Sequence, residues 1–171
     1  MCYSKCFSSL VYRRALGVVC VSLGLNLSFI APAASFTTFE SGQVRPMALS
    51  PDGSRLIVVN TPDNSIEIFS VRSNTLVRLS SVPVGMEPVA VAMRNNSEVW
   101  VVNHLSDDIS IVDLNTRNVK ATLRVGDEPC DVVFAGDPPR AFVSVSQEDA
   151  VKVYDPDNLA TLFAYSRKLA A

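Results

Sequence analysis

Residues 84–113 read VGMEPVAVAMRNNSEVWVVNHLSDDISIVD, and the pattern inside them decides the fold. Val99-Trp100-Val101-Val102 is almost continuously apolar, as expected of a strand covered on both faces. Ile109-Ser110-Ile111 alternates with period two, as a half-buried strand does. Turn residues Arg94-Asn95-Asn96-Ser97 separate the first run from the second. The expected strands are 89–93, 98–103, 108–113 and 119–125.

The same landmarks recur on both sides. Pro46-Met47-Ala48-Leu49, Val58-Val59-Asn60 and Ile66-Glu67-Ile68 precede them; Pro129-Cys130-Asp131-Val132, Phe142-Val143-Ser144-Val145 and Val151-Lys152-Val153 follow. The prolines lie 42 and 41 residues apart, and Val84-Gly85-x-x-Pro88 is repeated by Val125-Gly126-x-x-Pro129. Pro51-Asp52-Gly53 and Asp137-Pro138-Pro139 occupy the place of the 94–97 turn. Nothing beyond residue 35 sustains a helical period. Four short strands per unit of about 40–45 residues is the spacing of β-propeller blades. The expected architecture is therefore all-β, with about three four-stranded antiparallel repeats (43–83, 84–124 and 125–165) in an incomplete ring.

These residues resemble a known family. The V-G-x-x-P entry at Val84, the turn Ser50-Pro51-Asp52-Gly53, Val101-Val102-Asn103 and Ile109-Ser110-Ile111-Val112-Asp113 are similar to the YVTN-type β-propeller repeat of exported bacterial and archaeal proteins. The resemblance runs from residue 43 to about 158 and is specific for fold rather than function. The third repeat departs from the pattern: Ser146 stands where Asn is expected, and Asp137-Pro138-Pro139 is expected to lengthen the first hairpin.

A closed propeller needs roughly 4–8 blades. With about three, an arc leaves one blade face open at each end. Phe36-Thr37-Thr38-Phe39 stands where an outer strand of a preceding blade would lie. Three explanations remain open. The favoured one is a truncated or split product of a longer propeller gene. The second is self-association, with two chains making six blades. The third is a free-standing small β domain, or one completed by a different partner.

Residues 1–35 differ in kind. Lys5, Arg13 and Arg14 precede the apolar run 15–30 (ALGVVCVSLGLNLSFI), and Ala31-Pro32-Ala33-Ala34-Ser35 follows. A basic start, an apolar core and a small-residue exit form a secretory signal peptide, with cleavage expected after Ala33 or Ser35. Export to the periplasm or the extracellular space follows, with no stable membrane span after cleavage. The chain has 171 residues and a net charge of −2; without the leader, 12 basic residues face 17 acidic ones, a charge of −5. A pI near 5.3 provides no basic footprint for nucleic acid. Cys130 is then the sole cysteine, so no internal disulfide forms, and it is expected to be a buried apolar group.

No catalytic constellation, cofactor motif or metal-ligand cluster is legible, so no catalytic, cofactor-binding or metal residues are assigned. A propeller gathers its fourth-to-first joints and its second-to-third turns on one face. That places Glu87, Asp127 and Glu128 beside Asp63, His104, Asp107, Glu148 and Asp149. His104, Asp107, Asp127 and Glu128 are the ligand-face candidates, for a cation, a basic protein partner or a small polar ligand. Solvated loop acids that keep the protein soluble are the plainer reading of the same residues. Asn60, Asn103, Asp113 and Asp155 are expected to bond the turning backbone at strand ends, and Trp100 to pack between blades. The expected function is a non-catalytic exported binding scaffold, possibly a truncated fragment of a longer propeller protein. The rival is a fragment of a propeller enzyme, because the repeats are similar to sugar-lactonase propellers and to the haem-bearing propeller of cytochrome nitrite reductases.

Overall fold

A computed structural model describes residues 42–73 and 75–166. The leader and Phe36-Thr37-Thr38-Phe39 lie outside the described residues. Contacts divide the chain at Thr38/Phe39, and everything below concerns the second unit, Phe39–Ala171.

The described chain is all β, as three four-stranded antiparallel sheets in which each strand pairs with its neighbour in sequence. Blade 1 holds β1 (Met47–Leu49), β2 (Arg55–Asn60), β3 (Ser65–Arg72) and β4 (Thr75–Pro83). Blade 2 holds β5 (Pro88–Met93), β6 (Glu98–Asn103), β7 (Asp108–Asp113) and β8 (Asn118–Arg124). Blade 3 holds β9 (Pro129–Ala135), β10 (Arg140–Val145), β11 (Ala150–Tyr154) and β12 (Thr161–Ser166). These are propeller blades in an open arc. Among the described residues no helix is long and apolar enough to cross a membrane.

Register explains how the blades stack. On one face of blade 2, here the forward face, the rows Ala92–Trp100–Ile111–Ala121 and Ala90–Val102–Ile109–Leu123 run across all four strands. They share one apolar cluster with Val132, Ala141, Val143 and Tyr154 on the rear face of blade 3. The rear face of blade 2 presents Val91, Val99, Val101 and Val112 to Ile57, Val59, Ile66 and Ile68 on the forward face of blade 1. Strand β6 is accordingly buried along its whole length. Each such Val or Ile contributes about 1.5–3 kcal/mol by leaving water. Forward on rear, blade after blade, is the packing rule.

Trp100 sits at the centre of the second junction. It is fully buried, and its ring meets Phe134 edge-on, with centroids 5.2 Å apart and planes at 83°. Its indole N–H needs a partner there, and donates to Glu98 Oε1 at 2.8 Å. Arg94 Nη1 also donates to Glu98 Oε1, at 3.2 Å, and Lys120 Nζ donates to Glu98 Oε2. Arg94 then crosses to blade 3, donating to Pro156 O at 2.8 Å and pairing with Asp157. Burial resists ionisation of Glu98, but the bonds from Lys120, Trp100 and Arg94 outweigh it and hold the carboxyl below its usual range.

At the inner edge, Val44 N and Arg45 N donate to Val89 O at 3.0 and 3.3 Å, and Val91 N donates to Arg45 O at 3.0 Å. The Arg45 guanidinium passes over blade 2 to blade 3, where it pairs with Asp131 and donates to Val132 O at 2.8 Å. One side chain thus ties the entry of blade 1 to the inner strand of blade 3.

The first hairpin of blade 3 is one residue longer than that of blade 2: Ala135 pairs with Arg140 across four residues, where Arg94 N donates to Glu98 O across three. One expectation about the third repeat needs correction. Strand pairing sets Asn60 opposite Ser65, Asn103 opposite Asp108 and Val145 opposite Ala150. Val145, not Ser146, therefore occupies the Asn position. The irregularity in β9 at Pro129/Asp131 matches the one in β5 at Pro88/Ala90, so Val145 stands to Pro129 as Asn103 does to Pro88.

Replacing Trp100 by Ala is expected to cost about 3–5 kcal/mol, read from urea unfolding followed by circular dichroism. Glu98→Gln is expected to cost about 1–3 kcal/mol at neutral pH. Because the folded carboxyl titrates below its unfolded value of about 4.3, the advantage over the Gln variant is full above that pH. It is lost as pH falls through the folded value. An advantage that persists unchanged in acid would contradict this account of Glu98.

Candidate functional site

The fourth-to-first joints and second-to-third turns form one loop face, built on a repeated backbone lattice. Asn64, Asp107 and Asp149, each just before the third strand of its blade, have φ of 50, 60 and 47°. Asn and Asp tolerate this left-handed region best among residues with a Cβ. Each of the first two grips the joint that follows. Asn64 O accepts from Val84 N at 2.9 Å, and Asn64 Oδ1 from Glu87 N at 2.8 Å. Asp107 O accepts from Val125 N at 3.1 Å, and Asp107 Oδ1 from Glu128 N at 3.2 Å. Glu87 and Glu128 themselves have φ of 55°, and their carbonyls accept from His104 N at 2.9 Å and Ser146 N at 3.0 Å.

His104, Asp107 and Glu128 meet where blade 2 adjoins blade 3. His104 Nδ1 lies 3.1 Å from Pro129 O; a carbonyl only accepts, so Nδ1 carries the proton. Its Nε2 lies 4.0 Å from Glu128 Oε2, and the side chain is 14% exposed. Glu128 Oε2 also accepts from Gln147 Nε2 at 2.9 Å. The Nδ1–H bond to Pro129 O fixes the ring as a strut between blades, and leaves the Nε2 lone pair facing the Glu128 side. Among the described residues no three His, Cys, Asp or Glu side chains converge as the ligands of a metal ion do.

Asp127 and Asp107 together line a groove of about 470 Å³ with Arg124, Lys152, Tyr154 and Thr161; His104 and Glu128 are not among its walls. Asp127 N donates to Glu148 Oε1 at 3.4 Å, and Lys152 Nζ donates to the same oxygen at 2.9 Å. The Lys152 bond, opposed by slight burial and helped by the Asp127 amide, holds the Glu148 carboxyl below its usual range. The groove therefore offers Asp127 and Asp107 beside Arg124, with Lys152 already held by Glu148. Sequence reasoning missed Arg124 and Lys152; an alternating strand in which Lys152 replaces the Ser110 of the previous repeat was the signal available.

Strand-end polar residues divide into two kinds. Asp113 Oδ1 accepts from Asn115 N and Thr116 N at 2.7 and 3.1 Å, and Asp155 Oδ1 from Asp157 N at 2.9 Å, as expected of turning backbone. Asn60 and Asn103 instead bond side chains. Asn60 Nδ2 donates to Asp63, and fully buried Asn103 donates to Asp108 Oδ1 at 2.7 Å and Ser110 Oγ at 2.9 Å. Asn103 Oδ1 has no partner. Gly85 lies directly over this amide: a Cβ there would collide with Asn103 Nδ2 and Ser106 Oγ. That close approach accounts for Gly in the V-G-x-x-P joint. Cys130 is half-buried rather than buried, and its thiol donates to Glu128 O at 3.5 Å.

Comparison with known proteins gives likeness of fold. No family model matches the chain, and no curated protein does. Among solved structures it is similar to Kuenenia stuttgartiensis hydrazine synthase, with a TM-score of 0.66 and 25% identity over 81% of this chain and 40% of that one. A functionally unknown protein of Desulfotomaculum acetoxidans matches with a TM-score of 0.62 at 15% identity, over 70% of this chain and 41% of that one. Citrobacter koseri AztD matches at 0.58 with 12% identity, over 77% and 37%. The chain spans about 40% of the length of the proteins it resembles.

Asp108→Ala strands the buried Asn103 amide and is expected to cost about 1–3 kcal/mol. The double change Asn103→Val with Asp108→Ala copies the Val145–Ala150 pair of blade 3 and is expected to cost less than Asp108→Ala alone. A double variant less stable than the single one in urea unfolding would refute this reading.

Proposed function

We propose that the chain is an exported, non-catalytic binding module of the YVTN-type propeller family, whose loop face takes a basic protein segment or a small polar ligand. The repeated V-G-x-x-P joints and the leader-like residues 1–35 support the family and the compartment. The groove at Asp107, Asp127 and Arg124 is the observation that carries the binding role. It is a concave, charged surface set on backbone that is hydrogen-bonded at every turn, so a ligand meets a preformed site. The groups there are suited to recognition: acids and cations line the groove, while His104 is held against Pro129 O between the blades. Because the chain spans about 40% of its structural neighbours, the unit also fits a portion of a longer propeller architecture.

One observation favours a second reading, a portion of a propeller enzyme: the likeness to a protein named hydrazine synthase, at 25% identity. Fold likeness alone does not carry a chemistry across. Purified chain is expected to show no lactone hydrolysis with or without divalent metal; turnover above a heat-treated control would favour the enzyme.

Titration of the full chain with a fluorescent lysine-rich decapeptide tests the binding role. Expected is saturable binding that weakens with salt and falls several-fold in Asp127→Asn. A flat titration sinks it. Mass spectrometry of the chain recovered from an exporting host is expected to place its first residue at Ala34 or Phe36; an uncleaved chain would overturn the leader assignment.

A further inference from the structure

Among the described residues, blade 2 has a neighbour on both faces, and blades 1 and 3 each have one. The forward face of blade 3 carries the rows Val133–Phe142–Val153–Phe163 and Asp131–Ser144–Val151–Tyr165. Phe163 is 58% and Tyr165 71% exposed. These are the positions filled in blade 2 by the rows through Trp100 and Val102, which are buried against blade 3. The rear face of blade 1 carries Met47–Val58–Glu67–Ser81 and Leu49–Leu56–Phe69–Arg78. Met47 and Leu49 are 56% and 57% exposed. These match the rear rows of blade 2 through Val101 and Val99, which are buried against blade 1.

The two open faces are therefore not interchangeable patches. One is a forward face and the other a rear face, the two halves of the junction that this chain already builds twice. We infer that the forward face of blade 3 receives the rear face of blade 1 from a second copy of this chain, so that two chains close one six-blade ring.

Apolar side chains line both faces at corresponding positions: Phe142, Val153 and Phe163 on one, Leu49, Leu56 and Val58 on the other. Charge adds no obstacle: Glu67 on the rear face is neutralised by Arg78 at 2.5 Å, and Asp131 on the forward face by Arg45. A foreign partner would have to imitate one of these faces, whereas a second copy brings both. Contacts of this head-to-tail kind close into a ring or run on as a filament. The three described blades of each copy allow closure by a two-fold axis, at six blades, within the range that propellers adopt. The inference stands independently of what the loop face binds.

Sedimentation velocity of the full chain, in dilute non-ionic detergent for the sake of apolar residues 15–30, tests it. Expected is a species of twice the chain mass that persists across a hundredfold range of concentration. Phe163→Lys and Leu49→Lys alter exposed side chains on opposite ends, so each variant should keep its β-sheet circular dichroism and sediment as one chain. Mixing the two variants leaves one junction intact per pair, and double mass should partly return. Single-chain mass for the unaltered protein, mass that climbs without a plateau, or an unfolded product would each overturn the inference. The last is the behaviour of a segment that needs the remaining blades of a longer chain.

Discussion

A four-stranded sheet with apolar side chains on both faces is stable only between two neighbours, and everything else in this structure follows from that requirement. Blade 2 meets it: Val99, Trp100, Val101 and Val102 on its second strand are wholly buried. Alternation along a strand sends Trp100 and Val102 forward and Val99 and Val101 back, so a single strand belongs to both hydrophobic clusters. Stability in such a stack is nearly a sum of blade and junction contributions. An outer blade keeps its own hydrogen bonds but gains only one junction.

Burial holds the blades together without choosing their angle, and polar ties at the two ends of the stack make that choice. At the hairpin end, Arg94 joins the buried Glu98 of blade 2 to Pro156 and Asp157 of blade 3. At the inner edge, Arg45 reaches from blade 1 to Asp131 and Val132. Arginine suits both places because its planar fork serves a carboxylate and a carbonyl together. Glu98 shows why such ties are sparing. A half-satisfied buried carboxylate destabilises, and this one is tolerable because three donors, including the Trp100 indole, fill its lone pairs.

Much of the fold was legible because blade architecture repeats itself along the chain. The four strands of blade 2 lie within a residue of the spans expected from alternation and turn residues. What was not legible is what depends on pairing across the repeat. Repeating the 43 residues from Asn60 to Asn103 leads to Ser146, whereas pairing puts Val145 there. The Arg45 tie joins residues 86 positions apart and leaves no local signature. Of the ligand-face candidates, His104, Asp107 and Glu128 do gather, but as a junction between blades. Asp127, indistinguishable from them by sequence, faces a groove whose cations arrive from β8 and β11.

The loop face separates scaffold from recognition by a simple division of labour. Asn64, Asp107, Glu87 and Glu128 adopt left-handed backbone, and hydrogen bonds between the second-to-third turn of one blade and the joint to the next hold them there. Those positions answer first to the backbone, and of them only Asp107 also lines the groove. Positions between them are different. Asp127 and Arg124 project beside Gly126, whose φ of +112° opens the joint, and the joint depends on neither side chain. Such positions can change without disturbing a blade. A loop face built this way keeps its shape while its chemistry varies, which is why the repeat specifies the architecture so firmly and the ligand so weakly.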